Sequence, residues 1–199
     1  VIVSLHKTLP AFTQPALLLL GGMREAAVEK FLGIYETSSP SYVLMTGIER
    51  CIHYVRDNKE TAFAQLRSKL DRFYQKVSGL SHLNVVRKSD FSADEAYDFD
   101  ESTIIIFTKE AMNGHTLLEL LLKKYELQLE MAAGNYVLAL ASVMDTDEGF
   151  DRLADALIEI DSQLEKYKSD FEEFYDILKQ EGVVHHFYCR VKMETDIYQ

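Results

Sequence analysis

The sequence predicts a mixed α/β chain that ends in a small two-layer α+β unit. Three observations predict it. The chain opens on Val1-Ile2-Val3, a β-branched run of the kind found in buried strands. Long apolar stripes at alternating three- and four-residue spacing then mark helices. Between residues 81 and 142 short strand-like runs cluster around one helical stretch, in the order β-β-α-β-β, and a last helix follows.

Each element has its own justification. A loop is expected from Ser4 to about Gln14, and Gly21-Gly22 breaks the apolar run that follows it. Residues 23–32 read as a helix and residues 35–40 as a hydroxyl-rich turn. Pro40 suits a first helical position, where its missing N–H costs nothing, and Ser39 before it is then the expected cap. Leu44, Ile48, Ile52 and Val55 carry that helix. Asp57 with Glu60 has the form of a capping box, so a second helix is expected from there. Its stripe is Phe63, Leu66, Leu70, Phe73, Val77 and Leu80, with Gly79 near its end.

Residues 82–86, 103–108, 127–131 and 136–142 read as strands. The acidic stretch 90–101 is a loop, Asn113-Gly114 opens a helix over residues 115–125, and Gly134-Asn135 is a turn. Asp145 and Glu148 form a further capping box. The stripe from Phe150 to Leu178 contains no Pro or Gly. It fits one long helix or two in line, and packing on a sheet is a commoner fate for it than a coiled coil. Residues 183–191 read as a last strand.

Composition narrows the function. Lys plus Arg number 21 and Asp plus Glu 32, a net charge of −11. Such a chain is a poor generic binder of nucleic acid or anionic membrane, and its acidity suits a cationic ligand. No apolar run approaches the ~18 residues of a membrane span, and the start lacks the basic segment and cleavage motif of a signal peptide. A cytoplasmic protein is expected. Cys51 and Cys189 form no CxxC pair and no disulfide framework. Cys51 reads as a packing residue. His185 and His186, adjacent in an expected strand, point to opposite faces and do not share a metal easily.

The residues that carry chemistry are Ser4-Leu5-His6-Lys7-Thr8-Leu9-Pro10-Ala11-Phe12-Thr13-Gln14. Lys7, just after a strand, stands where α/β sheets place ligands. A desolvated amine there can attack an aldehyde, and Ser4 and His6 offer phosphate donors. A surface lysine in a loop is the plain alternative. The stretch resembles the lysine motif of the ornithine/lysine/arginine decarboxylase family, the bacterial fold-type I pyridoxal-phosphate enzymes. In that family Ser-x-His-Lys is followed by Thr-Leu-Pro-Ala and then Thr-Gln. Thr37-Ser38-Ser39-Pro40-Ser41-Tyr42 is similar to the family's Ser-Pro-Ser-Tyr segment. Glu130-Met131, then Tyr136-Val137-Leu138 and Asp145-Thr146, resembles the start of its C-terminal domain.

The resemblance covers residues 1 to about 161. It implies the C-terminal part of a fold-type I large domain with connecting helices (residues 1–80), a small α+β domain (81–165) and an unmatched extension (166–199). It implies pyridoxal 5'-phosphate as cofactor, held covalently by Lys7. Ser4 and His6 would bind its phosphate, and Thr37 and Ser38 would reach a phosphate, in this family often the partner subunit's. Glu130 is implied as a substrate-side acid, with a structural carboxylate as its alternative. The implied reaction is decarboxylation of arginine, lysine or ornithine in a homodimer or higher homo-oligomer, with no nucleic acid and no membrane. An aminotransferase of the same fold and a non-catalytic interaction domain stay open beside it.

The sequence departs from the family in three places. Leu17 to Leu20 lacks the family's frequent His, no Pro follows Pro40, and the expected aspartate and histidine upstream of the lysine have no counterpart. A chain that opens inside a strand reads as a fragment. Its first strand is expected to lack neighbours, and the chain alone is expected to be inactive.

Overall fold

The computed structural model describes residues 1–22, 25–94, 96–109 and 111–180, and for Glu25 and residues 165–180 the backbone alone. The expected strand at 183–191, with the two histidines and Cys189, lies outside the described residues.

The chain begins with β1 (Ile2–Ser4), a one-turn helix α1 (Leu5–Thr8) and β2 (Ala16–Leu18). β1 and β2 pair antiparallel, with Ile2 opposite Leu18 and Ser4 opposite Ala16. This corrects two expectations. The first strand has a neighbour, because the loop at residues 9–15 turns the chain back and the apolar run behind it supplies a partner. Nor is the strand buried: Val1 is 82% and Ile2 76% exposed.

Helix α2 (Glu25–Tyr35) leads to α3 (Tyr42–Lys76). α3 is one continuous helix of 35 residues and not two. Asp57 caps nothing and instead binds Arg56 at 2.7 Å. Without Pro or Gly between Gly47 and Gly79, nothing interrupts the backbone ladder, and Cys51, Ala62, Leu66 and Leu70 keep one buried face running through the join. The sequence signal was a capping-box pattern on an exposed helix face, where acidic residues are common for solvation alone. The cap of α3 is Ser41, which accepts from the Leu44 N–H at 3.4 Å. Ser39 is not the cap, and Pro40 lies before the cap rather than after it.

The remainder is the predicted two-layer unit. β3 (Asn84–Val85), β4 (Thr103–Phe107), α4 (Gly114–Tyr125), β5 (Met131–Ala133), β6 (Tyr136–Leu140) and α5 (Asp147–Gln180) follow in order. Among the described residues the strands form an antiparallel sheet ordered β3-β4-β6-β5. Alternation along β4 buries Ile104 and Ile106. They join Val137, Leu117 and Leu121 of α4, Phe150, Leu153, Leu157 and Ile160 of α5, Leu66, Leu70 and Phe73 of α3, and Val77 just after it in one core. The far half of α3 thus belongs to the core of the sheet unit.

Two local details differ from expectation, and one open alternative is settled. The strand foreseen at 127–131 is displaced to Met131–Ala133, since Leu127 to Glu130 connect it to α4. Thr146, not Asp145, caps α5 by accepting from the Gly149 N–H at 3.1 Å, whereas Asp145 accepts from the Ser142 N–H. α5 is one helix through Gln180, as an uninterrupted stripe allows.

Candidate active site

The candidate site is built on α1. Leu5, buried to 3% exposure, anchors it. The Leu5 N–H donates to the Pro15 carbonyl at 3.1 Å, and His6 Nδ1 lies 3.3 Å from the same oxygen. One buried carbonyl thus fastens both residues before the lysine. With Nδ1–H donating there, the neutral ring presents Nε2 as an acceptor, and the protonated ring donates at both nitrogens. Ser4 precedes α1 without capping it, which leaves its hydroxyl uncommitted to the helix.

Lys7 turns away from this clamp. Its Nζ forms an ion pair with Glu130 Oε1, the residue just before β5. Two residues singled out separately in the sequence, 123 positions apart, therefore meet in space. No local signal could have shown this, because the pairing depends on how α1 sits against the sheet unit.

Thr37 and Ser38 lie ahead of α3 and are exposed. Thr37 Oγ1 accepts from the Ser39 N–H at 3.2 Å. Among the described residues neither makes a hydrogen bond or ion pair with Ser4, His6 or Lys7. A link to the lysine segment runs instead through Phe12 and Gly47: a Cβ at Gly47 would lie 2.6 Å from the Phe12 ring. Glycine there lets the first half of α3 approach the loop that follows Lys7.

Beside α1 opens a groove of about 1370 Å³. Thr8 and Leu9 form one wall, Lys59, Phe63 and Arg67 of α3 a second, and the loop carrying Asp98 and Asp100 a third. Lys88 binds Asp98 at 2.7 Å and holds that carboxyl below its ordinary value, chiefly through the hydrogen bond. Sequence reading missed this groove, since its walls come from three distant segments.

Elsewhere the chemistry is structural. Cys51 is buried, and burial pushes its thiol up. Among the described residues no cluster of His, Cys, Asp and Glu could hold a metal, and no helix is long and apolar enough to cross a membrane.

Comparison with known proteins gives this geometry a context. Over 160 residues the chain is 23% identical to arginine decarboxylase of Halalkalibacterium halodurans, covering 79% of this chain and 33% of that protein. Arginine decarboxylase of Bacillus subtilis is 23% identical over 167 residues, covering 81% and 34%. Lysine decarboxylase LdcF of Francisella novicida superposes with a TM-score of 0.63 at 16% identity, over 89% of this chain and 29% of that one. The constitutive lysine decarboxylase of E. coli gives 0.54 at 17% identity, over 88% and 28%. No family model matches the sequence. The chain is thus weakly similar in sequence to arginine decarboxylases and similar in fold to part of two lysine decarboxylases. It shares their mixed α/β topology of helices and antiparallel sheets, and it spans about a third of the length of the curated relatives it matches.

Proposed function

We propose that this chain carries the lysine-bearing segment and the small α+β domain of a cytoplasmic, pyridoxal-phosphate-dependent decarboxylase of arginine, lysine or ornithine. The observation that supports this most is the setting of Lys7: an amine on a one-turn helix directly after a strand, clamped through Leu5 and His6 to Pro15 and facing a carboxylate. The donor set fits the cofactor. A primary amine suits its aldehyde, and the Ser4 hydroxyl and His6 imidazole suit its phosphate. Thr37 and Ser38 fit as donors to a second phosphate, that of a partner subunit.

Bound cofactor supplies the electron sink for loss of carbon dioxide. The protein's own residues bind and orient. Lys7 would hold the cofactor through its aldehyde, and Ser4 and His6 would hold its phosphate. Glu130 holds the distal cation of the substrate, a role for which its pairing with an alkylammonium equips it, since that is the group at the end of lysine and ornithine. The groove beside α1 is lined by five carboxylates, Glu60, Asp71, Asp98, Asp100 and Glu101, against three cations, Lys59, Arg67 and Lys88, an acidic excess that suits the approach of a basic substrate.

The apolar surface of residues 1–45 supports a homodimer or larger homo-oligomer, with the length of the relatives that this chain does not span as the other candidate to cover it. Phe31, Ile34, Tyr35, Tyr42 and Val43 are each more than half exposed, and large apolar side chains left exposed in this number suit a contact surface. The remaining length of the relatives, which this chain does not span, would complete the pocket.

The test is the release of carbon dioxide from arginine, lysine and ornithine by the complete protein with added pyridoxal phosphate. Release from one of the three, abolished by Lys7→Ala, is expected. Formation of a keto acid without carbon dioxide would replace this reading with that of an aminotransferase.

A further inference from the structure

Lys7 and Glu130 join α1 to the start of β5. Among the described residues neither side chain has another hydrogen-bonding partner. Their exposures, 43% and 38%, leave the pair open to solvent and therefore weak. While Nζ is engaged with the Glu130 carboxylate it is directed at the start of β5 and cannot at the same time approach a carbonyl carbon.

We propose that Glu130 is a latch on Lys7. It holds the ε-amine turned toward β5, and release from it precedes reaction with an aldehyde. The inference rests on Lys7 being the residue that takes the cofactor. Attack on a carbonyl carbon takes the unprotonated amine. The neutral nitrogen then forms a double bond to the aldehyde carbon, and its two protons leave with the carbonyl oxygen as water. A pair this exposed limits the effect of the latch to about two- to fivefold in rate.

The experiment incubates the purified chain with pyridoxal phosphate, reduces samples with borohydride at timed intervals and quantifies the Lys7 peptide by mass spectrometry. Glu130→Gln should be labelled at Lys7 two- to fivefold faster than the unaltered chain at low salt, and Glu130→Asp should stay close to the unaltered rate. The gap should close in 1 M sodium chloride, because salt screens an exposed pair. The same acceleration should appear with pyridoxal, which has no phosphate. Equal or slower labelling of Glu130→Gln would overturn the latch. An acceleration seen with pyridoxal phosphate but not with pyridoxal would also overturn it, because it would report only relief of repulsion on the phosphate. Label absent from Lys7 in every protein would overturn the assignment of Lys7 itself, an outcome distinct from the other two.

Discussion

Asp161 shows what one residue does for this fold. It is buried, and its two oxygens accept from the Ser81, His82 and Leu83 N–H groups at 2.9, 2.8 and 2.7 Å. It thereby pins the exit of α3 to α5. The sequence carried a signal for it: Asp161 falls four positions after Leu157 on the buried stripe, and a carboxylate there must find donors. Asp161→Ala orphans three N–H groups and should cost about 3 kcal/mol, read as a lower urea midpoint with unchanged slope. Exposed carboxylates act more weakly and through pH. Asp147, Asp98, Glu119 and Glu159 are held below their ordinary values, chiefly by hydrogen bonds from Arg72, Lys88, Lys123 and Lys124. A carboxyl lowered by folding adds stability above its unfolded value and loses it as pH falls through the folded one. Thermal stability should therefore be flat from neutral pH to about 5 and decline below about 4. A decline beginning near neutrality would contradict this.

At the scale of elements, α3 gives the sharpest contrast between pattern and structure. Its apolar stripe was legible, but its continuity was not: Asp57 and Glu60 mimic a start signal, and only the packing of Ala62 and Leu66 shows that the helix runs on. Asn58→Pro separates the two cases. At the first position of a new helix Pro is tolerated, whereas inside a continuous helix it costs about 3 kcal/mol. The structure predicts the loss, seen as reduced ellipticity and a lower melting temperature. The sheet unit was read nearly in full because Asn113, Gly134 and the alternation of β4 and β6 are local signals. Glycine at 114 has a further reason that no pattern reveals. A Cβ there would run into the backbone of Tyr136, and the Gly114 N–H donates to the Gly134 carbonyl at 2.8 Å. Gly114→Ala should destabilise by about 1–3 kcal/mol, measured by urea unfolding.

Across the whole molecule, burial is uneven. The core joins α3, the sheet, α4 and α5, while residues 1–45 leave Val1, Ile2, Phe31 and Tyr35 in solvent. Segments with few buried contacts open first, so limited proteolysis should cut within residues 1–45 while residues 103–160 stay intact. Cleavage in the reverse order would contradict this distribution of the core. The candidate site divides the same way. Ser4, His6 and Lys7 were legible because they are contiguous, and Glu130 was legible as a residue. Their meeting was not, because it belongs to the tertiary arrangement. The account depends above all on Lys7 as the group that takes an aldehyde cofactor. Borohydride reduction of the protein with pyridoxal phosphate, followed by peptide mapping, tests this most directly. The account predicts label on Lys7, lost in Lys7→Arg, and label on other lysines in preference to Lys7 would contradict it.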